Sequence, residues 1–178
     1  MIDADNKRTL FAIQGDLDGE KPEAVDTEQF LGVIVGPEDF FIPVAIVREI
    51  IMLQKLTYVP LSDKHVEGVL NLRGTVLPIL NLSKLMGNMR SEASSAARIV
   101  IAAHLNHMVG LIVDGVSVVS TLAADAIDHQ AFMENDKSFR LVSRIANYDG
   151  KLRGILDLNR IVQSIMPQES VQTSLETV

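Results

Sequence analysis

One arginine at the reversal between two apolar strand-like runs constrains this chain more than any other feature. In Gly68-Val69-Leu70-Asn71-Leu72-Arg73-Gly74-Thr75-Val76-Leu77-Pro78-Ile79-Leu80-Asn81-Leu82, the Arg73-Gly74 pair interrupts aliphatic sequence on both sides. Glycine takes positive φ without steric cost, so the pattern predicts a tight hairpin with the guanidinium standing out at its tip beside Leu72 and Val76. A charged fork ringed by aliphatic surface is what a protein interface favours. Local chemistry alone still favours an ordinary solvated turn arginine, because most arginines are exposed for no special reason.

Composition narrows the setting in which such a hairpin works. With 178 residues, 47% of them hydrophobic, the chain can bury a sizeable core as one domain or as two small subdomains. Sixteen Lys and Arg stand against 23 Asp and Glu, a net charge of -7. That balance disfavours nucleic acid and membrane surfaces, whose binding needs neutralised phosphates. The longest apolar run, Phe40 to Val47, is short and carries Pro43, so no segment is expected to insert in a bilayer. The polar, acidic opening lacks the apolar stretch of a signal peptide, and the chain contains no Cys, so a cytosolic protein is expected.

Residues 1–28 hold eight acids and no clear periodicity, which predicts a flexible acidic N-terminal tail serving solubility, with Leu10-Phe11-Ala12-Ile13 as a possible docking element. The folded unit is expected over 29–165, followed by a frayed C-terminal tail over 166–178. Gln29–Val35 and Phe40–Val44 read as a hairpin about the Gly36-Pro37-Glu38-Asp39 turn. Val44–Leu53 favours strand by its Val and Ile content, and Leu61–Val66 reads as a helical turn capped by Ser62. The small and polar stretch 88–97 divides the β-rich sequence in two. Beyond it, Arg98–Ala103 and Met108–Val113 form a hairpin, Val116–Leu122 a strand, and Val142–Ala146 with Lys151–Leu158 a last hairpin about Asp149-Gly150. A helix from Asn159 to Met166 ends at Pro167.

Two segments echo each other: Ile79–Met86 and Ile155–Val162 both run from strand through a polar step into helix. A fainter echo links Phe40–Ile51 with Met108–Val119, although strand composition alone could produce either match. Many short strands punctuated by turns argue for small barrels. Pro43 and Pro78 within strands point to bulges or edges at barrel corners, since proline cannot donate to a ladder.

The Gly68–Leu82 run, preceded by Phe41-Ile42-Pro43-Val44 and Val47-Arg48-Glu49-Ile50 and followed by Val109-Gly110-Leu111-Ile112-Val113-Asp114-Gly115-Val116, resembles the CheW family of chemotaxis coupling proteins. The Asp149-Gly150 turn and Ile155-Leu156-Asp157-Leu158 match as well. The resemblance implies a mainly β fold of two small five-stranded β-barrels, SH3/OB-like, packed together with short helices. It also implies a non-catalytic adaptor without cofactor or metal. Such an adaptor joins a chemoreceptor's cytoplasmic tip to the regulatory domain of a CheA-type histidine kinase and is recruited to membrane receptor arrays. On this resemblance the partner-binding residues are Arg73 with its turn neighbours Asn71, Leu72 and Gly74, then Val47, Glu49 and Gly68, and in the second half Ile99 and Val119. Val47, Ile99 and Val119 equally suit barrel core, Gly68 an unusual backbone angle, and Glu49 a surface carboxylate.

The chain departs from the family pattern at Asn81, where many members carry an aspartate, at Ser83, where an arginine often follows, and at Arg144, where a glycine is usual. It leaves no room for a receiver domain, so a CheV-type fusion is not expected, while a non-flagellar array controlling pili or a second messenger stays open. A rival reading from another class is a small-ligand or metal-binding barrel using His104, His107 and Asp114. His104 and His107 are expected to flank a turn, and no third ligand follows at a recognisable spacing. Asp114 and Asp157 could be paired carboxylates only if they converged in a cleft, and turn and cap roles explain both more simply.

Overall fold

The structure, a computed structural model, describes residues 26–87, 95–128 and 140–165. Expectations for the rest of the tails, and for most of 88–97 and 128–139, lie outside the described residues.

Eleven strands and two short helices follow in order: β1 (Thr27–Val35), β2 (Glu38–Pro43), β3 (Val47–Met52), β4 (Val66–Leu72), β5 (Thr75–Asn81), α1 (Leu82–Leu85), β6 (Arg98–His104), β7 (His107–Val113), β8 (Gly115–Ala123), β9 (Ile127–Asp128), β10 (Val142–Tyr148), β11 (Lys151–Leu156) and α2 (Leu158–Ile165). They form two sheets, ordered β8-β1-β2-β11-β10-β9 and β3-β6-β7-β5-β4. Both curl into barrels. In the second sheet β3 and β4 are opposite edges, yet Thr57, just past β3, exchanges two backbone hydrogen bonds with Val69 of β4 at 3.0 and 2.8 Å. In the first, β8 turns through Ala124–Ala126 into β9, which pairs with β10 at the far edge. The expected pair of barrels is therefore present, the first widened by the two-residue β9.

The barrels exchange strands. β2 of the first barrel continues through Val44–Ile46 into β3 of the second, and β7 of the second passes through Asp114 into β8 of the first. The two halves of the chain are equivalent under this arrangement. β5 pairs antiparallel with β4 and parallel with β7, leading into α1; β11 pairs antiparallel with β10 and parallel with β2, leading into α2. Both sequence echoes thus fall on matching structural positions. Even the irregularities match, with register shifts at Val66/Gly68 and at Val142/Arg144 opposite the same strand positions.

Each barrel has a small interior of its own, Phe30, Phe41, Leu122, Ile127, Ala146 and Ile155 in the first and Leu70, Leu77, Ile79, Ile99 and Ile101 in the second. The larger apolar cluster lies between them and includes Leu31, Val33, Phe40, Leu82, Val100, Leu111, Leu156 and Ile161. Burying one such aliphatic side chain contributes about 1.5–3 kcal/mol, so the shared core holds the barrels as one body. Asp114 adds a polar tie at the strand crossing, its Oδ2 accepting from Gly36 N at 2.6 Å and from buried Ser83 Oγ at 3.1 Å.

Two local expectations differ. Leu61–Val66 is a turn rather than a helical one, because Ser62 Oγ donates back to Val59 O at 2.9 Å and Asp63 Oδ1 accepts from His65 N at 2.8 Å, so Ser62 caps nothing. Val44–Leu53 divides into a single 3-10 turn and then β3. Pro78 sits where β5 is paired with β4 only, one residue before β7 joins at Ile79, so its missing N–H costs no ladder bond to β7.

Candidate partner-binding site

The β4–β5 hairpin is closed by a two-residue turn in which both central residues have positive φ, Arg73 at 52° and Gly74 at 92°. Arg73 therefore shares the left-handed conformation expected of glycine alone. Asn71 Oδ1 accepts from Gly74 N at 2.8 Å and fastens the turn from inside. This is the type I′ geometry whose twist matches that of paired strands.

Arg73 is 81% exposed, and its Nη2 donates to Glu49 Oε2 at 3.0 Å. Glu49 stands on β3, at the other edge of the same sheet, so the ion pair spans the seam where the barrel closes. The guanidinium is tethered at one nitrogen and open to solvent elsewhere. Val76, 63% exposed, flanks the tip as expected, with half-buried Leu72 beside it.

The remaining expected site residues divide by burial. Val47 is half-buried and packs against the core between the barrels, two residues before Glu49 with a register shift in between. Gly68 is buried on β4, and Ile99 is fully buried in the second barrel's interior. Neither offers a side chain at the surface. Val119 is 56% exposed, but on β8 of the first barrel, beside equally exposed Val118. The set therefore occupies two faces, one at the Arg73 tip and one along the β8 edge.

The first barrel carries a counterpart of the Arg73 tip. Asp149 and Gly150 both have positive φ, at 53° and 71°. Asn147 pairs with exposed Leu152 as Asn71 pairs with Val76. The two tips thus match in backbone and in exposed aliphatic residue while carrying opposite charges.

Arg144, which departs from the family pattern, occupies the position equivalent to Gly68 and makes a bidentate pair with Glu28 at 2.6 and 2.8 Å while lying 5.8 Å from the Phe30 ring centre. The hydrogen bonds to Glu28 hold its guanidinium pKa above the usual arginine value, against the opposing effect of burial. Asn81 Oδ1 accepts from Lys84 N as the cap of α1, and its Nδ2 donates to Glu67 Oε1 at 3.1 Å, a donor that an aspartate would lack.

His104 and His107 face each other across the β6–β7 turn as a register pair. Asp114 lies beyond the other end of β7, roughly 20 Å away along an extended strand. The three do not converge. Asp157 caps α2, its Oδ1 accepting from Asn159 N at 2.8 Å and Arg160 N at 3.3 Å. Among the described residues no group of three or more His, Asp or Glu side chains is placed to hold a metal ion, and no helix is long and apolar enough to cross a membrane. The Thr57–Val69 strap and the Arg73–Glu49 pair were not legible as contacts in the sequence, since both join residues remote along the chain.

The chain is 28% identical over 144 residues to the chemotaxis protein CheW of Bacillus subtilis, covering 81% of this chain and 92% of that one. It is 31% identical over 125 residues to CheW of Thermotoga maritima, covering 70% and 81%, and 32% identical over 108 residues to Protein PilI of Pseudomonas aeruginosa, covering 61% of each. Among solved structures, the scaffolding protein TtCheW of Thermoanaerobacter tengcongensis superposes with a TM-score of 0.70 at 26% identity, covering 75% of this chain and 90% of that one. The model of the CheW-like domain matches residues 29–166, and the chain belongs to that family.

Proposed function

We propose that this protein is a non-catalytic adaptor that couples a chemoreceptor's cytoplasmic tip to the regulatory domain of a CheA-type histidine kinase in chemotaxis or a related chemosensory pathway. The observation that carries this reading is the match to the CheW-like domain across both barrels, with Arg73 tethered to Glu49 yet largely open at the tip of one of them. Residues 29–165 act as the coupling domain, whose first strand begins two residues earlier at Thr27. The protein works in the cytoplasm, recruited to membrane receptor arrays. It needs no cofactor.

The shared core explains how such an adaptor would transmit a signal. Two partner surfaces fixed on one rigid body convert a small receptor motion into a bias on the kinase, a coupling of about 1–3 kcal/mol. Individually weak contacts suffice, because an array supplies effective concentration. The identity to Protein PilI favours a second reading with the same chemistry, a coupling protein of a non-flagellar array.

The experiment is a pull-down of the kinase regulatory domain and the receptor tip from the same cell, using the full chain with and without Arg73. Binding of both by the wild-type chain, weakened by Arg73→Glu, supports the adaptor reading. Failure of the wild-type chain to bind either partner overturns it.

A further inference from the structure

Gly68 belongs to the expected partner-binding set, yet it is buried and cannot touch a partner. Its surroundings give it another task. A Cβ built on Gly68 would lie 2.5 Å from Thr57 O and 3.2 Å from Leu56 Cβ, and the φ of 151° is one that side chains with a Cβ rarely adopt. The nearest obstruction is backbone, which cannot swing aside as a flexible side chain does. The absent Cβ is what lets the chain after β3 lie against β4.

That approach makes the strap. Thr57 N donates to Val69 O at 3.0 Å, and Val69 N donates to Thr57 O at 2.8 Å. Beneath it, Leu56 packs on the cluster that contains Leu70, Leu77 and Ile99. β4 is the edge strand of its sheet, and beyond its pairing with β5 this strap is the one backbone pairing on its free edge among the described residues. Arg73 follows Val69 by four positions, at the end of that same strand.

We propose that Gly68 is a positioning residue for Arg73: it admits Thr57 onto β4, and the strapped strand sets where the hairpin tip presents its guanidinium. The binding arm of the test rests on the adaptor reading; the exchange arm does not.

The exchange arm measures amide hydrogen exchange in the full chain without partners. In Gly68→Ala, the Thr57 and Val69 amides should exchange at least ~10-fold faster, and so should Gly74, whose N–H is held by Asn71. The Val100 and Leu111 amides of the central strands β6 and β7 should keep their protection. If Gly68→Ala fails to fold, Thr57→Pro deletes the Thr57 donor without adding a Cβ at 68 and should give the same pattern at Val69 and Gly74. Unchanged protection at Val69, or loss there with Gly74 still protected, overturns the proposal.

The binding arm is a double-mutant cycle against the kinase regulatory domain and the receptor tip. Gly68→Ala should weaken whichever partner Arg73→Ala weakens by ~10-fold, and should cost nothing further in the Arg73→Ala background. A merely structural role would persist in that background, and an additive ~100-fold loss in the double variant overturns the assignment. Should the wild-type chain bind neither partner, the adaptor reading fails while the exchange arm still decides the strap.

Discussion

Arg73 Nη2 lies 3.0 Å from Glu49 Oε2, joining residues 24 positions apart across the seam of a barrel whose two edge strands carry them. The contact adds little to stability. An exposed pair of this kind contributes about 0–1 kcal/mol, because water screens it and two side chains lose freedom to make it. Glu49→Gln and Arg73→Ala should therefore each change the urea-unfolding free energy by less than about 1 kcal/mol. A loss of several kcal/mol in either variant would show that the pair is a structural element.

Burial separates two residues that the family resemblance groups together. Ile99 is 0% exposed within the second barrel, and truncating it leaves a cavity, so Ile99→Ala should cost about 2–5 kcal/mol. Val119 on β8 is mostly solvent-exposed, and Val119→Ala should cost under about 0.5 kcal/mol. Thermal unfolding of the two variants side by side checks the contrast, and any loss of coupling in Ile99→Ala should track its loss of folded protein.

The strand-turn pattern was the legible part of this fold. Apolar runs broken by Gly36-Pro37-Glu38-Asp39, Arg73-Gly74, Leu105-Asn106-His107 and Asp149-Gly150 announced four hairpins, since turn chemistry is local. The echo of Ile79–Met86 in Ile155–Val162, which strand composition alone could also produce, falls on equivalent halves of the fold. Exchange of strands between the barrels was not legible, because the crossings at Val44–Ile46 and Asp114 read as ordinary interruptions. Within the site, Arg73 could be found from its turn, whereas Thr57 could not. Its part is played by backbone atoms, and only the need for a glycine at position 68 hints at something close by.

Asp63 gives the chain one acid-sensitive contact. Burial pushes its carboxyl upward, but hydrogen bonds from the His65 backbone and ring outweigh that and hold it below its ordinary value of 3.8. A carboxyl depressed on folding stabilises the native state above its unfolded pKa and loses that contribution as pH falls through the folded one. The stability difference between the wild-type chain and Asp63→Asn should therefore narrow as the pH drops below about 4. Its size is small, since the side chain is 36% exposed. Denaturant titrations at several pH values check the shape.

Arg144 joins β10 to the start of β1 through Glu28 and covers Phe30. Arg144→Ala should lower stability by about 1 kcal/mol, discounted because Glu28 is nearly half exposed. Part of that cost should vanish at high salt, where the ion pair is screened while the packing on Phe30 is not. Unfolding in low and high salt separates the two parts.

In the most direct binding titration, the full chain and its Arg73→Glu variant are each mixed with the purified kinase regulatory domain and receptor tip. Reversing the charge places a carboxylate opposite Glu49 at the exposed tip, where it shifts folding stability little. The prediction is a variant with wild-type circular dichroism and melting behaviour that binds at least one partner ~10-fold more weakly, as expected when a central arginine of an interface is lost. Unchanged affinity for both partners in a well-folded Arg73→Glu variant would contradict it.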